Sequence, residues 1–127
     1  MTVLCRYRKA SATACLLTDM GRMQREKGAR YEREIAARLT EAGYDCRRTC
    51  QKDGRIEADV IGLPGIHIEA KHQEQMRLYD WMEQSKRDAM PGEMPVVMHR
   101  KNRAQTLVTM ELDDWLRLYG GGHGAKT

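Results

Sequence analysis

Apolar and small side chains recur at helical spacing in the first third of the chain. Between residues 22 and 42 good helix formers dominate, and apolar positions three or four residues apart fall on one side of a helix. This stripe consists of Gly28, Tyr31, Ile35, Leu39 and Ala42. Gly43 follows at once and can end the helix, because glycine accepts the left-handed conformation that closes many helices. The pattern predicts an amphipathic helix over residues 22–42.

Shorter strand-like and helical segments alternate along the rest of the chain. Pro64 and Gly65 separate two apolar segments and predict a hairpin, and Pro91 and Gly92 end a second helix. The predicted elements are strands over residues 44–49, 58–63 and 66–71, a helix over 77–90, strands over 95–100 and 106–110, and a helix over 112–119. Residues 50–55 are polar and rich in turn formers. The order αβββαββα predicts an α/β (α+β) fold in which helices flank a central mixed sheet.

The two ends of the chain lack this patterning. Residues 1–21 show neither helical nor strand periodicity and are expected to be a disordered leader, and residues 120–127 are expected to be a flexible tail. The 127 residues are enough for one domain with a real core. We therefore expect a single domain over residues 22–119.

Composition narrows the class of protein. Hydrophobic residues make up 41% and charged residues 31%, and no segment approaches the roughly 18 apolar residues of a membrane span. The four cysteines form no CxxC pair and have no histidine cluster beside them, so zinc binding is not indicated and reduced thiols are expected. These features favour a cytoplasmic globular protein.

Positive charge is concentrated locally rather than spread evenly. The net charge is +4, yet residues 1–30 hold seven Lys or Arg against two acids, so the remaining residues sum to −1. Further cations cluster at Arg47, Arg48, Lys52 and Arg55, and again at Arg100, Lys101 and Arg103. Such clusters are typical of a phosphate-backbone contact, although a solvated charged surface would give the same pattern.

Candidate chemistry lies on the predicted hairpin. Because strand side chains alternate, Ile66, Ile68 and Ala70 share the core side, while His67, Glu69 and Lys71 share the other. A turn centred on Pro64 places Asp59 directly across from Glu69. Two facing carboxylates repel each other unless a proton or a cation lies between them. Carboxylate oxygens without a Cys or His shell suit Mg²⁺, or Mn²⁺ as a substitute, and a phosphate-ester substrate.

A third acid comes from the first helix. At 100° per residue, Glu32 falls within about 50° of the centre of the apolar stripe, and Glu34 falls far outside it. An inward carboxylate is costly unless it is paired or binds a ligand. Glu32 is therefore a candidate metal ligand or a candidate contact of a metal-bound water. The alternative is a boundary carboxylate that reaches solvent or pairs with Arg33 or Arg38.

The segment KGARYERE at residues 27–34, Ala58-Asp59 and Glu69-Ala70-Lys71 together resemble the PD-(D/E)XK nuclease superfamily, most closely the archaeal-type and phage Holliday junction resolvases. The resemblance spans residues 22–119. It implies a restriction-endonuclease-like core and Mg²⁺-dependent hydrolysis of DNA phosphodiesters that leaves a 5′-phosphate and a 3′-hydroxyl. Ala58 stands where the motif usually has proline.

The resemblance also implies roles for individual residues. Glu32, Asp59, Glu69 and Lys71 match the catalytic set. Asp59, Glu69 and the Ala70 carbonyl would bind the metal, with Glu32 holding its water shell or a second metal. Lys71 would position or deprotonate the attacking water, or offset charge in the transition state. Gln84 matches a glutamine that follows the lysine in many of these nucleases.

Further residues are candidates for DNA contact. His72 follows the lysine motif directly, and His99 precedes the second basic cluster. The predicted DNA-binding residues are Arg47, Arg48, Lys52, Arg55, His72, Gln84, Arg100, Lys101 and Arg103, with His99 beside them. Trp81 and Trp115 have apolar neighbours at helical spacing and are expected in the core or in a subunit interface.

The expected function is metal-dependent cleavage of branched DNA by a homodimer, since two symmetric cuts in a junction call for two active sites related by a twofold axis. For a phage-encoded enzyme, the cytoplasm would be that of the host cell. Three alternatives remain open: a phage nuclease of this fold acting on other DNA structures, a non-cleaving DNA-binding module, and a structural protein whose acids form salt bridges.

Overall fold

A mixed five-stranded sheet organises the chain. The structure, a computed structural model, describes residues 12–49 and 58–122, with side chains for 20–49 and 58–121. The elements are α1 (Ala12–Glu41), β1 (Arg47–Arg48), β2 (Val60–Ile61), β3 (Ile66–His72), α2 (Leu78–Asp88), β4 (Met94–Arg100), β5 (Leu107–Met110) and α3 (Leu112–Gly122). The strand order is β1-β2-β3-β4-β5, and only the β3–β4 pair is parallel. The predicted order αβββαββα and the α+β class are confirmed.

Helix α1 is longer than the sequence pattern predicted. It begins at Ala12 rather than at residue 22, so the predicted disordered leader is wrong for residues 12–21. These residues contain no proline, and extending an existing helix costs far less than starting one, so the helix continues without an apolar stripe. Residues 1–11 of the expected leader lie outside the described residues.

The end of α1 follows from Gly43. This glycine has a φ of 108°, its N–H donates to the Thr40 carbonyl, and the N–H of Tyr44 donates to the Leu39 carbonyl. These are the two hydrogen bonds of a Schellman motif. The Thr40 hydroxyl then binds the backbone of Cys46, so the first predicted strand shrinks from residues 44–49 to Arg47–Arg48.

For the other elements, the observed boundaries lie closer to the predicted ones. The predicted strand over residues 58–63 is reduced to Val60–Ile61, and α3 continues to Gly122, three residues into the expected tail. The predicted turn over residues 50–55 and the remaining tail, residues 123–127, lie outside the described part of the chain.

Helices cover both faces of the sheet. On one face α1 contributes Tyr31, Ile35 and Ala36 to a core that contains Val60, Ile68, Val96 and Met98. On the other face, α2 packs Trp81 and Met82 against Val97. The prediction that Ile66, Ile68 and Ala70 face the core is confirmed. The opposite face is also enclosed, because His67 and Glu69 are each only 2% exposed.

Tyr31 ties α1 to the loop before β5. Its ring is 1% exposed, and its hydroxyl lies 3.1 Å from the Thr106 Oγ1. Burial is the main reason why the pKa of Tyr31 is raised above 10.0. The hydroxyl thus remains a neutral hydrogen-bonding group at ordinary pH.

Tyr31→Phe keeps the ring but removes this hydrogen bond. We expect the free energy of unfolding to fall by about 1 kcal/mol, since a neutral hydrogen bond contributes roughly 0.5–1.5 kcal/mol. Urea unfolding measures the change. Thr106→Val in the same background should then add almost nothing; an additive loss would show that the two side chains stabilise the fold independently.

Helix α3 leaves large apolar side chains in solvent. Leu112, Trp115, Leu116, Leu118 and Tyr119 are each at least 46% exposed, and the Trp115 and Tyr119 rings stack 5.1 Å apart. Trp81, by contrast, is 5% exposed and belongs to the core, which was one of its two predicted positions. No helix within residues 12–49 and 58–122 has the length and apolar character of a membrane span.

Candidate active site

Asp59 and Glu69 meet where β2 runs beside β3. Val60 pairs with Ile68 across the two antiparallel strands, which is the register predicted from the Pro64-Gly65 turn. The Asp59 N–H donates to the Ile68 carbonyl at 2.9 Å. The Asp59 carboxylate accepts the Ala70 N–H at 2.9 Å, so it leans over the strand that carries Glu69.

The surroundings of Asp59 disfavour its ionised form. Burial, and then the negative charge of Glu69, raise the pKa of Asp59 from 3.8 to about 7, although the Ala70 N–H opposes this rise. Glu32 adds a smaller repulsion of the same sign. A carboxyl group in this position shares a proton with its neighbour or needs a nearby cation. Strongly perturbed acids in a cleft are typical of functional sites.

Glu69 is held by donors on both of its oxygens. Its side chain is 3% exposed, with the His67 Nε2 3.2 Å from Oε1 and the Gln84 Nε2 3.4 Å from Oε2. A carboxylate only accepts hydrogen bonds, so the imidazole donates. Burial lowers the pKa of His67, but Glu69 and Glu93 outweigh it and raise the pKa above 6.5. These two partners fix the orientation of Glu69.

His67 had no predicted role, and Gln84 was predicted to contact DNA. In the structure both side chains reach Glu69, because β3 places His67 on the same side of the strand and α2 covers that side. The DNA contact of Gln84 stays a prediction. The signal for His67 was its position two residues before Glu69 on a strand. Its enclosure depends on the docking of α2, which is not visible in the local pattern.

Glu32 is the more enclosed of the two acids considered on α1. Its side chain is 17% exposed, against 41% for Glu34, as its angular position on the helix predicted. The Glu32 Oε2 accepts a hydrogen bond from the Arg48 Nε at 2.6 Å. Arg48, predicted to contact DNA, is therefore anchored to one of the predicted catalytic acids.

All four predicted catalytic side chains line one cleft. Its volume is about 550 Å³. Glu32, Asp59, Glu69 and Lys71 line it together with Ala70 and Gln84, and Gln24, Lys27, Gly28 and His72 complete the wall nearest α1. Residues from α1, β3 and α2 thus converge on one concave surface, which is where an active site is expected.

The donor chemistry of the cleft fits a hard divalent cation. Asp59 and Glu69 offer carboxylate oxygens, and Ala70, the residue after Glu69, lines the same cleft. A cation would favour the ionised form of Asp59, whose pKa is raised by burial and by the charge of Glu69. Within the described ranges no three His, Cys, Asp or Glu side chains form a cluster able to hold a metal. Asp59 and Glu69 are the two acids that could hold such a cation, and water and substrate would fill its remaining positions.

Two residues predicted to contact DNA are engaged within the protein. The Arg100 Nη2 lies 3.1 Å from the Glu34 Oε2, and its guanidinium lies 5.1 Å from the centre of the Tyr31 ring. His99 is 3% exposed and pairs with the Thr109 hydroxyl at 2.8 Å. The prediction of a surface backbone contact needs correction for His99, because its side chain is buried. Arg100, with a side chain that is 25% exposed, stays a predicted DNA contact.

The other predicted DNA contacts divide into three groups. Arg47, Lys101 and Arg103 are exposed. His72 lines the cleft, with its ring 5.2 Å from that of Tyr31, and burial followed by the charges of Lys27 and Arg100 lowers its pKa below 6.5. Lys52 and Arg55 lie outside the described residues.

Comparison with known proteins agrees with this geometry. The family model described as "Phage putative PDDEXK endonuclease" matches residues 23–121. No curated protein matches the chain. A solved structure, that of Hjc from Archaeoglobus fulgidus, a Holliday junction resolvase from an archaeal hyperthermophile, is similar. It is 26% identical, with 66% of this chain and 72% of that chain covered and a TM-score of 0.52.

These findings confirm the resemblance and the restriction-endonuclease-like fold expected from the sequence. The family model matches α1 from residue 23 onward, the hairpin and α2. The chain therefore belongs to the phage PDDEXK endonuclease family, as a nuclease with structural similarity to a Holliday junction resolvase.

Proposed function

We propose that this nuclease is a Mg²⁺-dependent DNA endonuclease that cuts branched DNA, with the four-way junction as its main substrate. The observation that carries the proposal is the enclosed Asp59–Glu69 pair, which lines one cleft with Lys71. Burying two neighbouring carboxylates is costly for stability, and divalent-cation chemistry at a phosphate gives that arrangement a use.

Each side chain in the cleft takes a role that fits its position. Asp59 and Glu69 would hold Mg²⁺ with the Ala70 carbonyl, and Mn²⁺ would substitute for it. When bound, the metal supplies positive charge at the scissile phosphate and lowers the pKa of a water. His67 and Gln84 keep both Glu69 oxygens oriented toward the cleft.

Lys71 and Glu32 would act on the other reacting groups. Lys71 lines the cleft two residues from Glu69, so its ammonium can orient the attacking water or offset the negative charge that develops on the phosphate. Glu32 carries negative charge to the α1 side of the cleft while Arg48 fixes its carboxylate. It would hold the metal's water shell or a second metal.

The branched substrate is supported by the similarity to a Holliday junction resolvase. We propose a homodimer for the same reason, since symmetric cuts in two strands need two cleft copies related by a twofold axis. Contacts to the DNA backbone by exposed Arg47, Lys101 and Arg103, and by Lys52 and Arg55, belong to this proposal. The cytoplasm is the proposed site of action, because the DNA substrate is there.

A cleavage assay tests the function directly. A labelled four-way junction and a linear duplex of matched sequence are incubated with Mg²⁺ or with EDTA. We expect paired, symmetric nicks in the junction that require Mg²⁺, with the duplex cut at least about tenfold more slowly. Equal cutting of both substrates would discard junction selectivity, and binding without any cutting would favour a non-cleaving DNA-binding module.

A further inference from the structure

A second concave surface, rich in arginine, lies beside the catalytic cleft. It has a volume of about 530 Å³ and is lined by Arg22, Arg25, Arg30 and Arg33 of α1 and by Arg48 of β1. We call these five residues the arginine face. Glu26 is the one acid among its lining residues. None of the four α1 arginines was among the residues predicted to contact DNA.

Helix α1 separates this surface from the catalytic cleft. Gln24, Lys27, Gly28 and Glu32 line the cleft, and Arg25, Ala29 and Arg33 line the arginine face one residue further along the helix. Side chains one residue apart project about 100° from each other, so the two surfaces occupy adjoining sides of one helix. The Glu32–Arg48 ion pair joins them, because Glu32 lines the first surface and Arg48 lines the second.

Positive charge on the arginine face exceeds what the acids of α1 offset. At four-residue spacing the charges of α1 alternate in sign, from Arg22 through Glu26 and Arg30, which stabilises the helix. Arg25 and Arg33 lie outside this series, because no acid is three or four residues from either of them along the helix. Glu26 is also the one acid in the lining of the arginine face. The surface therefore carries excess positive charge, which is what an anionic partner requires.

We propose that the arginine face binds the phosphate backbone of the DNA arm that leads into the catalytic cleft. This inference rests on the proposed function. It adds the surface along which the DNA lies beyond the phosphate that reacts. Arg22 and Glu32 are ten residues apart, about 15 Å along the helix. That distance is close to half a helical turn of duplex DNA, and guanidiniums form paired hydrogen bonds with phosphate oxygens.

The geometry favours a nucleic acid over an acidic protein. The arginine face lies on the adjoining side of α1 from a cleft whose acids, with a bound cation, would hold a phosphodiester. A DNA strand that enters the cleft carries further phosphates on either side, and those on the α1 side meet the arginine face. The contact needs no base recognition, so it should act on any sequence.

The test compares two triple variants with the same loss of charge. Arg22→Gln/Arg25→Gln/Arg30→Gln removes three members of the arginine face. Arg38→Gln/Lys86→Gln/Arg87→Gln removes three exposed cations elsewhere on the protein. Binding of a fluorescent four-way junction and of a linear duplex is measured in EDTA over a series of salt concentrations. Single-turnover cleavage is measured in Mg²⁺ at saturating DNA.

We expect the arginine-face variant to bind both DNAs at least about tenfold more weakly at 0.1 M salt. The slope of log K against log salt should fall in magnitude by about 2 to 3, since each phosphate contact contributes about 0.9. The control variant should change the slope by less than about 1. At saturating DNA, both variants should cut within about threefold of the wild-type rate, because no catalytic side chain is altered.

Three results would overturn the inference. Equal slopes for the two variants, with wild-type cleavage intact, would reject the arginine face and leave the proposed function standing. A loss of single-turnover rate in a folded variant would place these arginines in the reaction itself. No DNA binding by the wild-type protein would overturn both proposals. Circular dichroism checks folding, and the corresponding Arg→Lys triple variant, which keeps the charge, should retain the wild-type salt slope.

Discussion

Asp59→Asn is expected to abolish DNA cleavage and, in the same protein, to stabilise the metal-free fold above pH 7. The cleavage rate should fall by about 10³-fold or more, because the amide cannot carry the charge that holds a cation at the phosphate. Asparagine has nearly the same shape, and its side-chain oxygen can still accept the Ala70 N–H. Activity and stability should therefore move in opposite directions.

The sign of the stability change follows from the Asp59 pKa. Burial and the Glu69 charge raise that pKa from 3.8 to about 7, so the folded state binds the proton more tightly than the unfolded chain does. The resulting stability is complete below about pH 4 and is lost as pH rises toward and beyond 7. Asparagine does not titrate, so the variant should gain about 2 kcal/mol over the wild type at pH 8, after screening by solvent in the cleft.

Urea unfolding in EDTA at pH 4, 6 and 8 measures this difference, and Asp45→Asn provides a control at an exposed aspartate. The gap between Asp59→Asn and wild type should widen with pH, and by more than the gap between the control and wild type. Adding Mg²⁺ should raise the stability of the wild type and of the control but not that of Asp59→Asn, because ligands stabilise the state that binds them. A destabilised Asp59→Asn protein at pH 8 would instead favour acids that serve only as structural salt-bridge partners.

Gly62→Ala should be the most destabilising single-methyl change in the hairpin. Gly62 has a φ of 113°, and a Cβ at this position would collide with the carbonyl oxygen of Asp45 and lie 2.9 Å from the Cys46 Cα. Both neighbours are backbone atoms of the segment that leads into β1, so neither can rotate away. We expect a loss of at least about 3 kcal/mol, from steric overlap together with backbone strain.

Gly65→Ala separates these two causes. Gly65 also has a positive φ, 74°, but nothing lies within 4 Å of its would-be Cβ. Its substitution should cost only about 1 kcal/mol, the strain of the backbone alone. Urea unfolding of the two variants gives the comparison. Equal losses would show that the overlap with Asp45 adds no cost beyond the backbone strain.

Local patterns were sufficient to predict much of the candidate site. The β2–β3 register follows from side-chain alternation and a short Pro-Gly turn, and the structure pairs Val60 with Ile68 as that register requires. The choice of Glu32 over Glu34 needed only the angular spacing of a helix. Both inferences depend on residues close in sequence, for which geometry leaves few alternatives.

Contacts between distant segments could not be predicted from local patterns. Arg48 pairs with Glu32 across 16 residues, and Arg100 with Glu34 across 66, so the sequence did not show that these two cations are joined to α1 acids. The docking of α2 encloses His67 and directs Gln84 to Glu69. No local periodicity encodes these pairings. The early start of α1 was missed because a helix can continue through residues that carry no apolar stripe.

The two tryptophans differ in exposure, so their intrinsic fluorescence can report on two different parts of the protein. Trp81 is 5% exposed in the core under α2, whereas Trp115 is 46% exposed on α3 and stacks on Tyr119. An indole in an apolar interior emits at shorter wavelength than one in water. A Trp115→Phe protein therefore reports on the domain that holds the catalytic cleft, and a Trp81→Phe protein reports on the apolar surface of α3. Domain unfolding and burial of α3 by a partner can thus be followed separately without an added dye.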